Sequence, residues 1–225
     1  MNGPDVTAVA GLFADPSRAA MVELLLDGCD HTVRSLARTA GVASSTATGH
    51  VSRLEAGGVV VSRRDGRERL VRLAGPEAAD AYEALAELSR ERPVNGLRGW
   101  TRREELRAAR TCYDHLAGKL GVAIADAALA AGAIGSDCSL GSPAPSWFAC
   151  LGVDVDSLPH GRRPLLRVCT DWTERREHLA GTLGAAVCTS MLSMGWVSRR
   201  PSSRALRVTP VGQARLRRLG ITFES

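Results

Sequence analysis

The chain has 225 residues, 44% of them apolar and 4% aromatic, with a formal net charge of +5. That length holds two small domains with real cores, and no apolar run of about 18 residues exists to span a membrane. The opening Met-Asn-Gly-Pro-Asp lacks the charged and apolar regions of a signal peptide, so a cytoplasmic protein with no membrane partner is expected.

Six cysteines, Cys29, Cys112, Cys138, Cys150, Cys169 and Cys188, are scattered without a Cys-x-x-Cys. In a reducing compartment they read as free thiols rather than a disulfide framework. The single lysine, Lys119, stands against 28 arginines, a bias that speaks of genomic base composition more than of function.

In chain order, residues 8–14 and 16–27 read as two helices parted by Asp15-Pro16, where Asp15 caps and Pro16 fits the first turn. Gly28-Cys-Asp-His31-Thr32 is a loop with Asp30 or Thr32 as the next cap. Its Cys29 and His31 make only a weak metal-ligand pair. Val33, Leu36, Ala37 and Ala40 share one face of a helix that Gly41 ends. Residues 43–56 form a second helix, with Ala47, Val51 and Leu54 inward and Ser44, Ser45, Thr46, Thr48, His50, Ser52 and Arg53 on its other faces. Gly57-Gly58 stops it. Val59–Ser62 and Leu70–Leu73 are β-branched runs around an Arg-rich tip in which Asp65-Gly66 signals a tight hairpin.

Helix, turn, helix and hairpin wing together make a DNA-docking unit, its second helix entering the major groove. The candidate DNA contacts are Ser44, Ser45, Thr46, Thr48, His50 and Arg53 on the helix, and Arg63, Arg64, Arg67 and Arg69 on the wing. Charge agrees. From Val33 to Leu73 there are eight arginines against Glu55, Asp65 and Glu68, a net of +5, while the rest of the chain balances. Concentrated positive charge is what phosphate binding requires.

Leu12-Phe-Ala-Asp-Pro-Ser-Arg-Ala-Ala-Met-Val-Glu-Leu-Leu25, followed by Leu36-Ala-x-x-Ala-Gly-Val-x-x-Ser-Thr-Ala-x-x-His50-Val-x-x-Leu-x-x-Gly-Gly58-Val, resembles the reading head of ArsR-type (SmtB-like) winged-helix repressors. The resemblance spans about residues 8–91. It implies a homodimer joined through the first helix and the helix after the wing, bound to double-stranded operator DNA. It also marks a departure. Metal-sensing members carry Cys-x-Cys just before Asp-Leu-Ala, where Thr32 and Arg34 stand here.

After the wing, a helix from about 77 to 91 carries Ala78, Tyr82, Leu85 and Leu88 on one stripe, and 92–100 has linker composition. The remainder, 101–225, reads as a second domain. Thr101-x-x-Glu104 looks like a capping box opening a helix from about 102 to 131. The string His-Leu-Ala-Gly-x-Leu-Gly occurs at His115 and again at His178, and each copy runs on to Leu-Gly-Val/Ile. This is an internal repeat, 112–153 and 175–221, and Gly195–Arg200 with Arg204–Thr209 adds a hairpin to the second copy. The fold class expected is mainly α with small β-hairpin wings, an α+β chain with an N-terminal winged helix and two winged-helix-like repeats behind it.

Asp171-x-x-Glu174 looks like the cap of the second copy's helix, which places Cys169 beside a helix N-terminus. If the copies cross with pseudo-twofold symmetry, Cys112, His115, Cys169 and His178 converge. Two effector readings stay open: a soft or borderline metal ion on thiolate and imidazole, or a small organic effector lined by Trp172 and Tyr113, with packing alone as the plain alternative. The expectation for the whole is a repressor released by an effector sensed in the second domain. An architectural DNA binder is the other regulator class. The competing class is an enzyme, since Cys112, His115 and Asp171 could make the Cys–His–Asp set of a hydrolase or thiol transferase; it is not expected, because nucleophile elbow, phosphate loop and HExxH are all missing from the sequence.

Overall fold

The computed structural model describes residues 3–89 and 96–224. It divides into two compact units, 1–88 with 201–204, and 89–200 with 205–225. Among the described residues no helix is long and apolar enough to cross a membrane.

The first unit runs α1 (Val6–Phe13), α2 (Pro16–Leu25), β1 (His31–Thr32), α3 (Val33–Ala40), α4 (Ser44–Ala56), β2 (Val60–Asp65), β3 (Glu68–Leu73) and α5 (Pro76–Leu88). The starts are capped from the sequence outward: the Asp15 carboxylate accepts the Arg18 N–H, and the Thr32 hydroxyl accepts that of Ser35. Gly41 closes α3 in the left-handed region at φ 67°. Met21, Val22, Leu25 and Leu26 of α2 and the turn after it meet Leu36 of α3, Ala47, Val51 and Leu54 of α4, and Val71 and Leu73 of β3, all essentially without solvent contact. The wing is an antiparallel pair closing at Asp65 opposite Glu68, and β1 adds a third strand on β3. That strand takes His31 and Thr32 out of the loop expected there. His31 Nε2 bonds the Asp27 carboxylate at 2.8 Å and the Cys29 N–H donates to the same residue, so this stretch is tied to Asp27.

Two helices of this unit keep apolar side chains in solvent. α1 buries none of its residues, with Val6 and Val9 exposed, and α5 leaves Leu85 and Leu88 exposed. Phe13 and Tyr82 meet edge to face, with centroids 6.1 Å apart. Glu83 is buried and paired with Arg204.

The second unit runs α6 (Gly96–Ala108), β4 (Arg110–Cys112), β5 (His115–Ala117), α7 (Gly118–Ala130), α8 (Ala144–Ala149), β6 (Arg167–Thr170), β7 (Glu177–Ala180), α9 (Gly181–Ser193), β8 (Val197–Arg199), β9 (Leu206–Val208) and α10 (Pro210–Arg218). Several expectations are corrected here. The single helix over 102–131 is two helices with the β4–β5 hairpin between them. Thr101 lies inside α6, donating to the Leu97 carbonyl rather than capping. Residues 96–100 are helical, not linker, and 90–95 of the expected helix end and linker lie outside the described residues. Asp171–Glu174 is a turn between β6 and β7, so Cys169 sits on a strand and not before a helix.

The repeat is plain in the backbone. Each copy is a hairpin, a thirteen-residue helix (α7, α9), a strand-like return and a shorter helix (α8, α10). In the first copy the return shrinks to one bridge, Ile134 with Leu140; in the second it is β8–β9. Both copies end alike, the Val153 and Ile221 N–H groups donating back to Phe148 and Leu216. α7 packs on β7 and α9 on β5, an exchanged arrangement about a pseudo-twofold axis. Leu120, Ile124, Phe148, Leu151, Leu183 and Met191 fill the shared core.

The glycines of His-Leu-Ala-Gly-x-Leu-Gly now have specific reasons. Gly118 and Gly181 make the strand-to-helix turn at φ 75° and 78°, and a Cβ there would stand 2.6 and 2.8 Å from a backbone carbonyl oxygen. Gly121 and Gly184 let each helix settle on the carbonyls of Leu116 and Leu179. A Cβ on either would also reach the Cβ of the other copy's histidine at 3.4 and 3.3 Å. The close approach is therefore helix to hairpin across the repeats, not helix to helix.

Candidate functional site

The first candidate surface is α4 with the wing. Its inward stripe is Ala47, Val51 and Leu54, which turns Ser44, Ser45, Thr46, Thr48 and Arg53 to solvent. The Thr48 hydroxyl is turned onto the Ser44 carbonyl at 2.9 Å. His50 is half-buried, its Nδ1 3.9 Å from the Asp15 carboxylate that caps α2. On the wing, Arg64 and Arg67 are exposed and make no ion pair among the described residues.

The other two wing arginines are engaged within the unit. Arg63 donates to Asp30 at 2.8 Å, which lifts its guanidinium pKa above the ordinary value. Arg69 bridges the Ser62 hydroxyl at 2.9 Å and the Glu55 carboxylate of α4. Ser62 donates both its hydroxyl and its N–H to that carboxylate; with Arg69 it holds the Glu55 pKa below the ordinary value. Arg69 and Glu55 thus brace the wing against α4, a role the residue pattern did not signal.

The second candidate is built from both repeats. In β4–β5, Cys112 stands directly across from His115; in β6–β7, Cys169 stands directly across from His178. Facing positions on paired strands hold their Cβ atoms about 5 Å apart, so each hairpin presents one thiol and one imidazole side by side. The exchanged packing then brings the two pairs together. The four donor atoms all lie within 4.8 Å of one another, the two sulfurs 4.0 Å apart. The imidazole rings stack with centroids at 5.1 Å. Cys112, His115 and His178 are buried and Cys169 partly so.

Around these four lies a shell of charge. The Asp114 carboxylate meets His115 Nδ1 at 3.1 Å and Arg163 at 3.0 Å; despite burial, these partners hold its pKa down at about 2. Asp171 accepts the Gly118 N–H at 2.6 Å, lies 3.0 Å from the Arg110 guanidinium and 3.6 Å from His178 Nδ1. Burial opposes its charge, and Arg110 overcomes that and depresses its pKa. Burial likewise opposes charge on His115, but Asp114 and the Cys169 sulfur lift its pKa. The Cys112 thiol, aided by both imidazoles against burial, pulls the Cys169 thiol below its ordinary range. Each histidine therefore has a carboxylate near Nδ1. Among the described residues, neither Nε2 has a hydrogen-bond partner.

Trp172 is not a fifth donor. It lies under the Arg110 guanidinium at 4.8 Å, in the turn that makes the second hairpin longer than the first. Arg110, Asp114 and Arg163 were not singled out from the sequence as parts of this site, and Asp171, grouped there with Cys112 and His115, lies instead 3.6 Å from His178 Nδ1. A signal existed for the first of them: Arg-x-Cys recurs as Arg110-Thr-Cys112 and Arg167-Val-Cys169.

A helix-turn-helix with an exposed, hydroxyl-rich second helix and a cationic wing defines a winged-helix DNA-binding regulator. The relatives agree. Over 213 residues, 93% of this chain and 94% of the relative, the chain is 34% identical to an uncharacterized HTH-type transcriptional regulator, YdfF, of Bacillus subtilis. The chain belongs to the HTH-type transcriptional regulators, and is a regulator rather than an enzyme. No protein-family model matches it. Among solved structures it is similar to the homodimeric winged helix-turn-helix domain of Mb0332 from Mycobacterium bovis, a possible ArsR-family regulator, at 27% identity and a TM-score of 0.33 over 39% of this chain and 88% of that one. The repressor BigR from Xylella fastidiosa is similar at 23% identity and a TM-score of 0.35, over 39% of this chain and 89% of that one.

Proposed function

We propose that this chain is an ArsR-type repressor that binds operator DNA as a homodimer and leaves it when the second unit takes up an effector. The carrying observation is the exposed Ser44–Arg53 face of α4 beside a wing whose Arg64 and Arg67 point to solvent. A dimer sets two such helices into successive major grooves of a palindrome, about one helical turn apart. The apolar side chains that α1 and α5 leave exposed, Val6, Val9, Leu85 and Leu88, suit the partner contact that the ArsR resemblance implies. Release requires the effector to favour one spacing of the reading heads over the other.

Fluorescence anisotropy on the DNA upstream of the protein's own gene tests the reading. Arg53→Ala is expected to weaken binding at least tenfold with the fold intact by circular dichroism. Equal affinity of variant and wild type overturns the assignment of α4 as the reading helix. For the effector, the convergence of Cys112, His115, Cys169 and His178 favours a metal or a thiol reagent over an organic ligand.

A further inference from the structure

We propose that Cys112, His115, Cys169 and His178 form a closed tetrahedral site for one zinc ion per chain, which ties the two repeats of the second unit together. The proposal deepens the effector reading of the second unit. Its test uses no DNA, so failure here and failure of DNA binding are separate results.

The donor set comes first. Two thiolates and two imidazoles in tetrahedral array are the ligand type that selects zinc among common divalent ions. At zinc–sulfur bonds of about 2.3 Å, a tetrahedron places two sulfurs about 3.8 Å apart; here they stand 4.0 Å apart. The remaining donors are within 4.8 Å of one another, so side-chain rotation of less than about one ångström per atom closes the set around an ion.

The second observation is the pair of imidazole nitrogens. His115 Nε2 and His178 Nε2 are buried and without hydrogen-bond partners among the described residues, an arrangement that costs stability unless something is bound there. A carboxylate lies near each Nδ1, Asp114 at 3.1 Å and Asp171 at 3.6 Å. The Asp114 contact keeps the proton on His115 Nδ1 and leaves Nε2 as the free donor, the usual support of a metal-bound histidine. Asp171 acts on His178 by charge alone, and His178 Nδ1 is also without a hydrogen-bond partner among the described residues. Both carboxylates are themselves anchored by arginines, Arg163 and Arg110. The third observation is symmetry. Each repeat supplies one cysteine, one histidine and one supporting aspartate. With four protein donors no position is left open, which marks a closed site and not a catalytic one.

The test takes the full-length reduced protein, stripped with a chelator and reloaded with Zn²⁺ or Co²⁺. One Zn²⁺ per chain is expected by elemental analysis. Co²⁺ should give the intense visible bands and the sulfur-to-metal charge-transfer band of tetrahedral thiolate coordination, bleached by added Zn²⁺. Bound zinc should shield Cys112 and Cys169, but not the exposed Cys150, from alkylation read by mass spectrometry. Cys112→Ser and His178→Ala should abolish the cobalt spectrum, Asp114→Asn should weaken zinc binding about 10- to 100-fold, and Cys150→Ser should change nothing. The alkylation and cobalt measurements on the wild type stand even where a ligand variant fails to fold. Octahedral cobalt bands, absence of stoichiometric metal, or a Cys112–Cys169 disulfide in a protein that binds no zinc once reduced would each overturn the proposal.

Discussion

The wing and the paired hairpins of the second unit are built from the same element and face opposite environments. β2–β3 projects Arg64 and Arg67 into water, where each charge is hydrated and needs no fixed partner. β4–β5 and β6–β7 turn Cys112, His115, Cys169, His178 and Arg110 inward, where every charge must be met by another. Arg64 and Arg67 on the wing are available to a ligand, whereas Arg110 on the paired hairpins is bound into the fold.

The sharpest way to probe that contrast is Arg110. It has no solvent exposure and faces a fully buried Asp171. Arg110→Ala strands a buried carboxylate and is expected to cost about 3–5 kcal/mol in chemical denaturation, whereas a loss below about 1 kcal/mol would mean that water reaches Asp171. Gly121→Ala comes next. Its new Cβ would sit 2.4 Å from the Leu116 carbonyl oxygen, and forcing α7 off its hairpin should cost about 1–3 kcal/mol, seen as a lowered Tm.

On the wing the effects move from stability to binding. Arg64→Ala with Arg67→Ala should leave stability within about 0.5 kcal/mol. The pair should flatten the salt dependence of DNA binding by about one unit of log–log slope for every phosphate left without its arginine. An unchanged slope would remove the wing from the interface. The smallest effect is Glu55→Gln. The carboxyl is depressed by Ser62 and Arg69, so its folded pKa lies below its unfolded value. It therefore stabilises above the ordinary glutamate pKa of 4.5, and that contribution fades as pH falls through the lower folded value. Wild type and variant should accordingly converge in Tm as the medium is acidified.

How far the residues alone reveal this structure follows the same division. α3, Gly41, α4 and the wing were legible because each carries a local signal: an apolar stripe of helical period, a left-handed glycine, an Asp-Gly turn. The repeat hairpins were not. Their strands are three or four residues long, too short to display alternation. Their turns put Tyr113 at φ 63° and Arg175 at φ 53°, where a glycine or asparagine would have announced a hairpin. Glycines that punctuate a strand-to-helix turn thus read as packing inside one long helix. The meeting of the two cysteines and two histidines was still foreseeable, because a repeated string places equivalent residues about an axis whether they ride on helices or strands. Asp114 carried no local signal, and the sequence pattern set Asp171 beside Cys112 and His115 rather than His178, since one aspartate lies in a two-residue turn and the other in a longer one, at positions that do not align.

The repeat also bears on how such a chain can arise. Each copy owns one sulfur and one imidazole, so a polypeptide bearing a single copy holds half a coordination sphere and must borrow the other half from a sister molecule. Joining the halves in one chain replaces a meeting that depends on concentration with one guaranteed by connectivity. It also frees the two copies to diverge, as their unequal turns already show.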